Sequence, residues 1–259
     1  MRRIGLCAAM LVMLAGVAQA ASCSSTGGKF ESWKEDFAAE AKANGVGSRG
    51  IKALMGTKYS TGTIRADRNQ HSFKLSLGQF MAKRGAEAIV AQGKKRKAAN
   101  AALFARIEKR YGVPAGPLIA IWGMETAFGA STGNQNTISA VATLAYDCRR
   151  SGYFTEQLYA ALKLVDKGVM SASTKGAMHG EVGQTQFLPK NIVLYAADGD
   201  GGGINLNGKA DALASTAKFL SGEGWPSGGP YDPGSFASWN AASVYQRALA
   251  IIASKIDGE

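Results

Sequence analysis

Histidine is almost absent from this chain: 259 residues contain two, His71 and His179, far apart in sequence. Cysteine is nearly as scarce, at three. No His/Cys cluster has zinc spacing, so a tetrahedral zinc centre has no ligand set. There is no G-x-S-x-G elbow and no P-loop, which leaves serine-hydrolase and P-loop nucleotide chemistry without a motif. Pro-rich linkers and internal repeats are lacking. So is a strong alternating β pattern. Past the first twenty residues no run is long and apolar enough to cross a bilayer. Acidic residues are outnumbered, 19 against 30 basic, for a formal charge of +11.

What is present begins with a leader. Residues 1–20, "MRRIGLCAAMLVMLAGVAQA", carry a basic start at Arg2 and Arg3, a short apolar stretch and an Ala18-Gln19-Ala20 cleavage pattern. That is the form of a secretory signal. The expectation is an exported, periplasmic protein. Residues 21–259 would make one domain, with room for two lobes and no transmembrane segment. A lipoprotein anchor at Cys23 is the second reading, since Ala20-Ala21-Ser22 lacks the usual leucine. Cys7 leaves with the signal. Cys23 and Cys148 remain, and two cysteines in an oxidising compartment suggest one disulfide. Two free thiols are the alternative. The basic balance attracts anionic polymers. Export argues against nucleic acid among them, so no nucleic-acid partner is expected. The "GKKRK" cluster (93–97) reads by default as a solvated helix face.

Helical periodicity dominates the rest. Phe30, Trp33, Phe37 and Ala41 share one face, with Gly45 as a stop. "SRGIKALMG" reads as a short helix capped by Ser48. Phe73, Leu77, Phe80 and Met81 repeat the spacing. Residues 97–111 form a basic amphipathic helix with Leu103, Phe104 and Ile107 inward. Pro114 suits the start of a helix over 115–127. Further helices follow in "ISAVATLAYDC", "TEQLYAALKLVDKG" and "KADALASTAKFLSGEGW", the last ended by Gly222 and Gly224. A final helix is expected over 237–256. Residues 171–189 are irregular, and the 180–206 region has room for short strands that no pattern assigns. The fold class is mostly α, with a loop-rich middle.

One residue stands out. "IAIWGMETAFG" (119–129) holds a single carboxylate, Glu125, among Ile121, Trp122, Met124 and Phe128. Burial there would raise its pKa and keep it protonated, as a proton donor to a leaving oxygen requires. An exposed helix glutamate, or one capping a nearby loop, is the competing reading. "HGEVGQTQFLP" (179–189) sets Gln184 and Gln186 on either side of Thr185. Their uncharged amides suit sugar hydroxyls and acetamido groups, and an ordinary Gly-rich loop is the alternative. Asp198, Asp200 and Asp211 offer carboxylates for calcium but are too sparse for an EF-hand frame.

"IWGMETAFG", "ISAVATLAYDCRR", "GEVGQTQFLPKNIVLYAADGD" and "DALASTAKFLSGEGW", in that order, resemble the signature blocks of lytic murein transglycosylases of the membrane-bound B type. The resemblance implies a lysozyme-like helical domain with a saccharide cleft. It implies cleavage of the β-1,4 bond between N-acetylmuramic acid and N-acetylglucosamine, with a 1,6-anhydromuramoyl product. Glu125 would be the sole acid/base, and the partner would be peptidoglycan glycan strands met by a monomer. Gln186, Arg149, Arg150 and Tyr245 match substrate-cleft positions. Phe219 and Trp239 stand where the family often has tyrosine. They can stack on sugar but offer no phenol. "GEVG" replaces the family's "GAMG" and introduces Glu181. The acidic loop after "YAAD" is shortened, so no cofactor is expected and calcium at Asp198, Asp200 and Asp211 is the minor alternative. A goose-lysozyme-like hydrolase and a non-catalytic wall-binding or secretion-associated protein are the other readings of this scaffold.

Overall fold

Eleven of the twelve residues in "AGPLIAIWGMET" are buried, and the exception is Glu125. A helix that is apolar all round belongs in a core, and this one forms the central rod. The structure, a computed structural model, describes residues 21–69, 74–226 and 231–258. The expected leader, with Cys7, lies outside the described residues, as do Phe73 and His71.

Twelve α-helices occur among the described residues: α1 (Phe30–Ala43), α2 (Ser48–Met55), α3 (Thr61–Arg68), α4 (Leu77–Lys83), α5 (Ala86–Ala99), α6 (Ala101–Tyr111), α7 (Ala115–Thr126), α8 (Thr137–Tyr146), α9 (Ser151–Asp166), α10 (Pro189–Tyr195), α11 (Lys209–Gly222) and α12 (Ser243–Asp257). The central α7 packs against α5, α6, α11 and α12. Every residue of α8 is buried, and this helix packs on α9, α3, α2 and α1. One apolar cluster runs through both groups. Truncating a core side chain such as Ile119 or Ile121, both 0% exposed, to alanine would cost about 2–5 kcal/mol. Close approach of α5 needs Gly123, where a Cβ would lie 2.5 Å from Ile89 Cγ2.

Two short strands occur among the described residues, outside 180–206. β1 (Gln135–Asn136) pairs antiparallel with β2 (Lys175–Gly176), in register Gln135 with Gly176 and Asn136 with Lys175. Only an isolated Val182–Phe187 bridge lies within 180–206 among the described residues. Pairs this short carry no readable alternation.

Several helix boundaries also moved, each for a local reason. The amphipathic helix begins at Ala101, because Asn100 leaves helical φ/ψ and its amide donates to Arg96 O at 2.8 Å. Such amides compete with the helical backbone. Gly85, at φ 68°, separates α4 from α5. The last helix starts at Ser243 rather than 237, after Asn240 Oδ1 accepts the Ala242 amide at 2.9 Å. Ser48 is not the cap of α2. Asp166 on α9 accepts the Gly47 and Gly50 amides at 2.6 and 2.8 Å instead. Within "GKKRK" two side chains are engaged rather than solvated. The Arg96 guanidinium lies 4.4 Å from the Phe128 ring centre, and Lys97 pairs with Asp257 at 2.6 Å.

Cys23 and Cys148 form a disulfide across 125 positions, beside the Ser24–Asp147 bridge. In the chain-entropy picture a loop of that length is stabilised by up to about 5 kcal/mol.

Candidate active site

Glu125 owes its position to the way α7 ends. Ala127, Phe128 and Gly129 follow with φ of 49°, 64° and 86°. Left-handed backbone at a non-glycine residue costs roughly 1–2 kcal/mol, so something must hold it. Ala127 N donates to Gly123 O at 3.0 Å and Phe128 N to Trp122 O at 3.2 Å. The Phe128 ring lies edge-on to Trp122 with centres 5.2 Å apart, under Arg96. Gln184 then fastens this corner to the Gly-rich loop. Its side chain accepts from Trp122 Nε1 at 2.8 Å and donates to Asn207 O at 2.5 Å. Thr126 Oγ1 donates to Gln184 O at 2.6 Å.

The helix end thus delivers Glu125 to a cleft of about 490 Å³ lined by Phe219, Trp239, Gln186, His179, Glu181 and Tyr153, among others. Its Oε1 accepts two hydrogen bonds, from Tyr245 O–H at 2.5 Å and Trp239 Nε1–H at 3.1 Å. Burial pushes the carboxyl above its ordinary pKa. The Tyr245 and Trp239 bonds and the Arg84 charge pull it back, and the Glu181 charge pushes it further up. The net direction is upward. The Tyr245 phenol is raised well above its usual value by burial and by the Glu125 charge, so it stays a donor. The arrangement is an acid whose conjugate base already has two donors aimed at it.

A match to the family described as the transglycosylase SLT domain runs over residues 29–234 and takes in most of the cleft. The chain belongs to this family. Within it, 121 residues are 36% identical to membrane-bound lytic murein transglycosylase B of Escherichia coli K12, covering 46% of this chain and 34% of that protein. The aligned part is about a third of that relative's length. SltB3 from Pseudomonas aeruginosa, solved in complex with NAG-anhNAM-pentapeptide, superposes with a TM-score of 0.81 at 28% identity, over 90% of this chain and 80% of that one. The E. coli lytic transglycosylase Slt35 in complex with calcium gives a TM-score of 0.76 over 86% of this chain and 92% of that one. At 19% identity it speaks for the fold alone.

In this SLT-domain protein the sequence-expected residues fall into three groups. Glu125, Gln186, Phe219 and Trp239 meet in the cleft. Gln186 sits at φ 61°, held there by Nε2 bonds to Gly183 O at 2.8 Å and Thr132 O at 3.3 Å. Phe219, part of the cleft lining, packs edge-on to Trp239 with ring centres 5.2 Å apart. Trp239 supplies through its N–H the donor that a phenol would otherwise give. Tyr245 is buried and reaches Glu125 from beneath, off the cleft lining.

Arg149 and Arg150 form the second group and are outside the cleft lining. Both guanidinium groups bind Asp67, whose side chain is 1% exposed. Burial pulls the Asp67 carboxyl up, but the hydrogen bonds and charges of the two arginines outweigh it and hold it low. The Arg150 guanidinium also lies 4.7 Å from the Phe154 ring centre. Asp67 and His179 were missed as site residues. His179 opens the quoted "HGEVGQTQFLP" stretch, and nothing in the local sequence around Asp67 hints at a contact 82 positions away.

The third group is Asp198, Asp200 and Asp211, each with one carboxylate oxygen within 4.8 Å of the others. The oxygens are of the kind calcium takes, but six to eight are needed. Asp198 and Asp211 already accept amides of Gly201, Gly203, Gly199 and Asn205 at 2.6–2.9 Å. Three side chains supply only part of such a shell, and the rest would have to come from backbone carbonyls or water.

Proposed function

We propose that this protein is a peptidoglycan lytic transglycosylase acting on the bond between N-acetylmuramic acid and N-acetylglucosamine, with Glu125 as its single acid/base. The observation that carries the reading is Glu125 itself: one carboxylic acid at the end of a buried helix, opening into a cleft, with two donors on one oxygen. Protonated, it gives its proton to the glycosidic oxygen as the C–O bond breaks. Tyr245 and Trp239 then stabilise the carboxylate that forms, which is where charge develops in the transition state. The substrate's own acetamido group takes the place of a protein nucleophile, by family analogy. The Glu125 carboxylate next accepts the proton of the C6 hydroxyl as that oxygen closes the 1,6-anhydro ring. Proton and bonds balance without a second protein carboxylate or a cofactor. The complex of the P. aeruginosa relative with NAG-anhNAM-pentapeptide is in keeping with this product class.

Export to the periplasm, action as a monomer, and substrate contacts by Gln186, Phe219 and Trp239 belong to the same proposal. The disulfide supports export. No described helix is long and apolar enough to cross a membrane.

The test is product analysis on purified murein. Wild type should release 1,6-anhydromuropeptides and Glu125→Gln should not. Undiminished release by the variant would refute the assignment. A reducing-end product from wild type would instead favour hydrolysis, a reading that Glu181 in the same cleft keeps open.

A further inference from the structure

We infer that Glu181 is a positioning residue for the acid step, a fixed negative charge presented to Glu125 within the same cleft. The inference rests on the reading of Glu125 as the acid. It begins with a contrast of sign. The chain carries +11 overall, yet among the described residues no lysine or arginine lines this cleft, and the titratable groups that do are Glu125, Glu181, His179 and Tyr153.

Glu181 is held from several sides. Its carbonyl accepts the Ala177 amide at 2.8 Å. The same carbonyl fills the space that a Cβ on Gly176 would need, which makes glycine necessary there. The side chain accepts the His179 amide on Oε2 at 3.1 Å, and Oε1 lies 3.3 Å from His179 Nδ1. His179 Nε2 in turn lies 3.9 Å from Asp67 Oδ1. Arg149 and Arg150 pair with Asp67, and among the described residues no lysine or arginine forms an ion pair with Glu181. The paired arginines hold Asp67 beside His179, whose backbone amide and Nδ1 are the groups on Glu181.

The groups facing Glu125 divide by sign. Tyr245 on α12, Trp239 on the segment before it and Arg84 at the end of α4 favour the carboxylate. Burial and Glu181 favour the acid. Glu181 itself faces His179 and Tyr153, whose phenol is raised first by burial, with the Glu181 charge also raising it and Arg150 lowering it. A like charge in a partly desolvated site disfavours ionisation of its neighbour. For Glu125 this helps both half-reactions: the acid stays loaded for the first, and the carboxylate is a stronger base for the second.

The experiment is a pH profile of kcat/KM for anhydro-product release from a defined soluble glycan strand. It compares wild type, Glu181→Gln, Glu181→Ala and Glu181→Asp, with folding checked by circular dichroism. The first two variants should move the alkaline limb to lower pH, with kcat/KM on that limb reduced roughly three- to tenfold and little change on the acid side. Glu181→Asp, which keeps the charge, should restore the wild-type limb. A limb that stays in place in active Glu181→Gln or Glu181→Ala protein would overturn the inference, as would an equal loss at every pH. Activity surviving Glu125→Gln would instead overturn the underlying reading, so the two failures are distinguishable.

Discussion

Tyr245→Phe removes one hydroxyl and nothing else. The ring keeps its edge contact with Phe80 at 6.0 Å, so the packing beneath the cleft survives. What goes is the 2.5 Å O–H bond to Glu125 Oε1, together with the phenol's hydrogen bond with the Trp239 side chain. While Glu125 is protonated the bond to Oε1 is an ordinary one, worth about 0.5–1.5 kcal/mol; once the carboxylate forms it is charge-assisted, worth about 1.5–3. Only the difference, roughly 1–1.5 kcal/mol, accelerates the chemistry, which corresponds to about tenfold in kcat. KM should barely move, because Tyr245 does not line the cleft. The same bond favours the ionised form, so its loss should raise the Glu125 pKa and carry the alkaline limb to higher pH. That is the opposite of the Glu181→Gln shift. The assay is initial-rate release of anhydro product from a soluble strand across the pH range. A variant with unchanged kcat and an unmoved limb would refute the claim that this hydroxyl stabilises the Glu125 carboxylate.

Two stability predictions follow from the same charges. The Glu125 pKa is raised on folding, so its favourable contribution is complete below the unfolded carboxyl value and is lost as pH rises through the folded one. Glu125→Gln should therefore melt above wild type at pH 8, by about 2–4 °C for each kcal/mol recovered, and the gap should close near pH 4. A gap independent of pH would contradict this. Asp67 has the reverse sign. Its lowered pKa gives stability above the unfolded value that is lost as pH falls through the folded one. Asp67→Asn should cost about 2–3 kcal/mol at pH 7, discounted from a fully buried pair because both arginines are partly exposed. Urea titrations at pH 7 and pH 3 would show that cost shrinking in acid, and a constant cost would count against the ion-pair account.

The sequence by itself determined that Glu125 is alone in an apolar helix, and that Gly45, Gly222 and Gly224 mark helix ends. Cys23 and Cys148, the two cysteines past the leader-like stretch, were enough to suggest their pairing. These are local or compositional facts, since periodicity, backbone freedom and residue counts need no partner to be read. The strand pair at 135–136 and 175–176, the break at Asn100 and the cap of α2 by Asp166 were not legible, because each is set by contacts too short or too distant to leave a pattern. In the site, Tyr245 and Trp239 were readable as cleft candidates, but not as donors to the same carboxylate oxygen from 120 and 114 residues away. Arg149 and Arg150 were readable as substrate-binding candidates, but not as the partners of Asp67. Only the tertiary structure decided which donors and charges surround Glu125, because that depends on how α4, α7, α12 and the loop carrying Glu181 pack together, and the energy of a carboxylate is set by its neighbours rather than by its position in the chain.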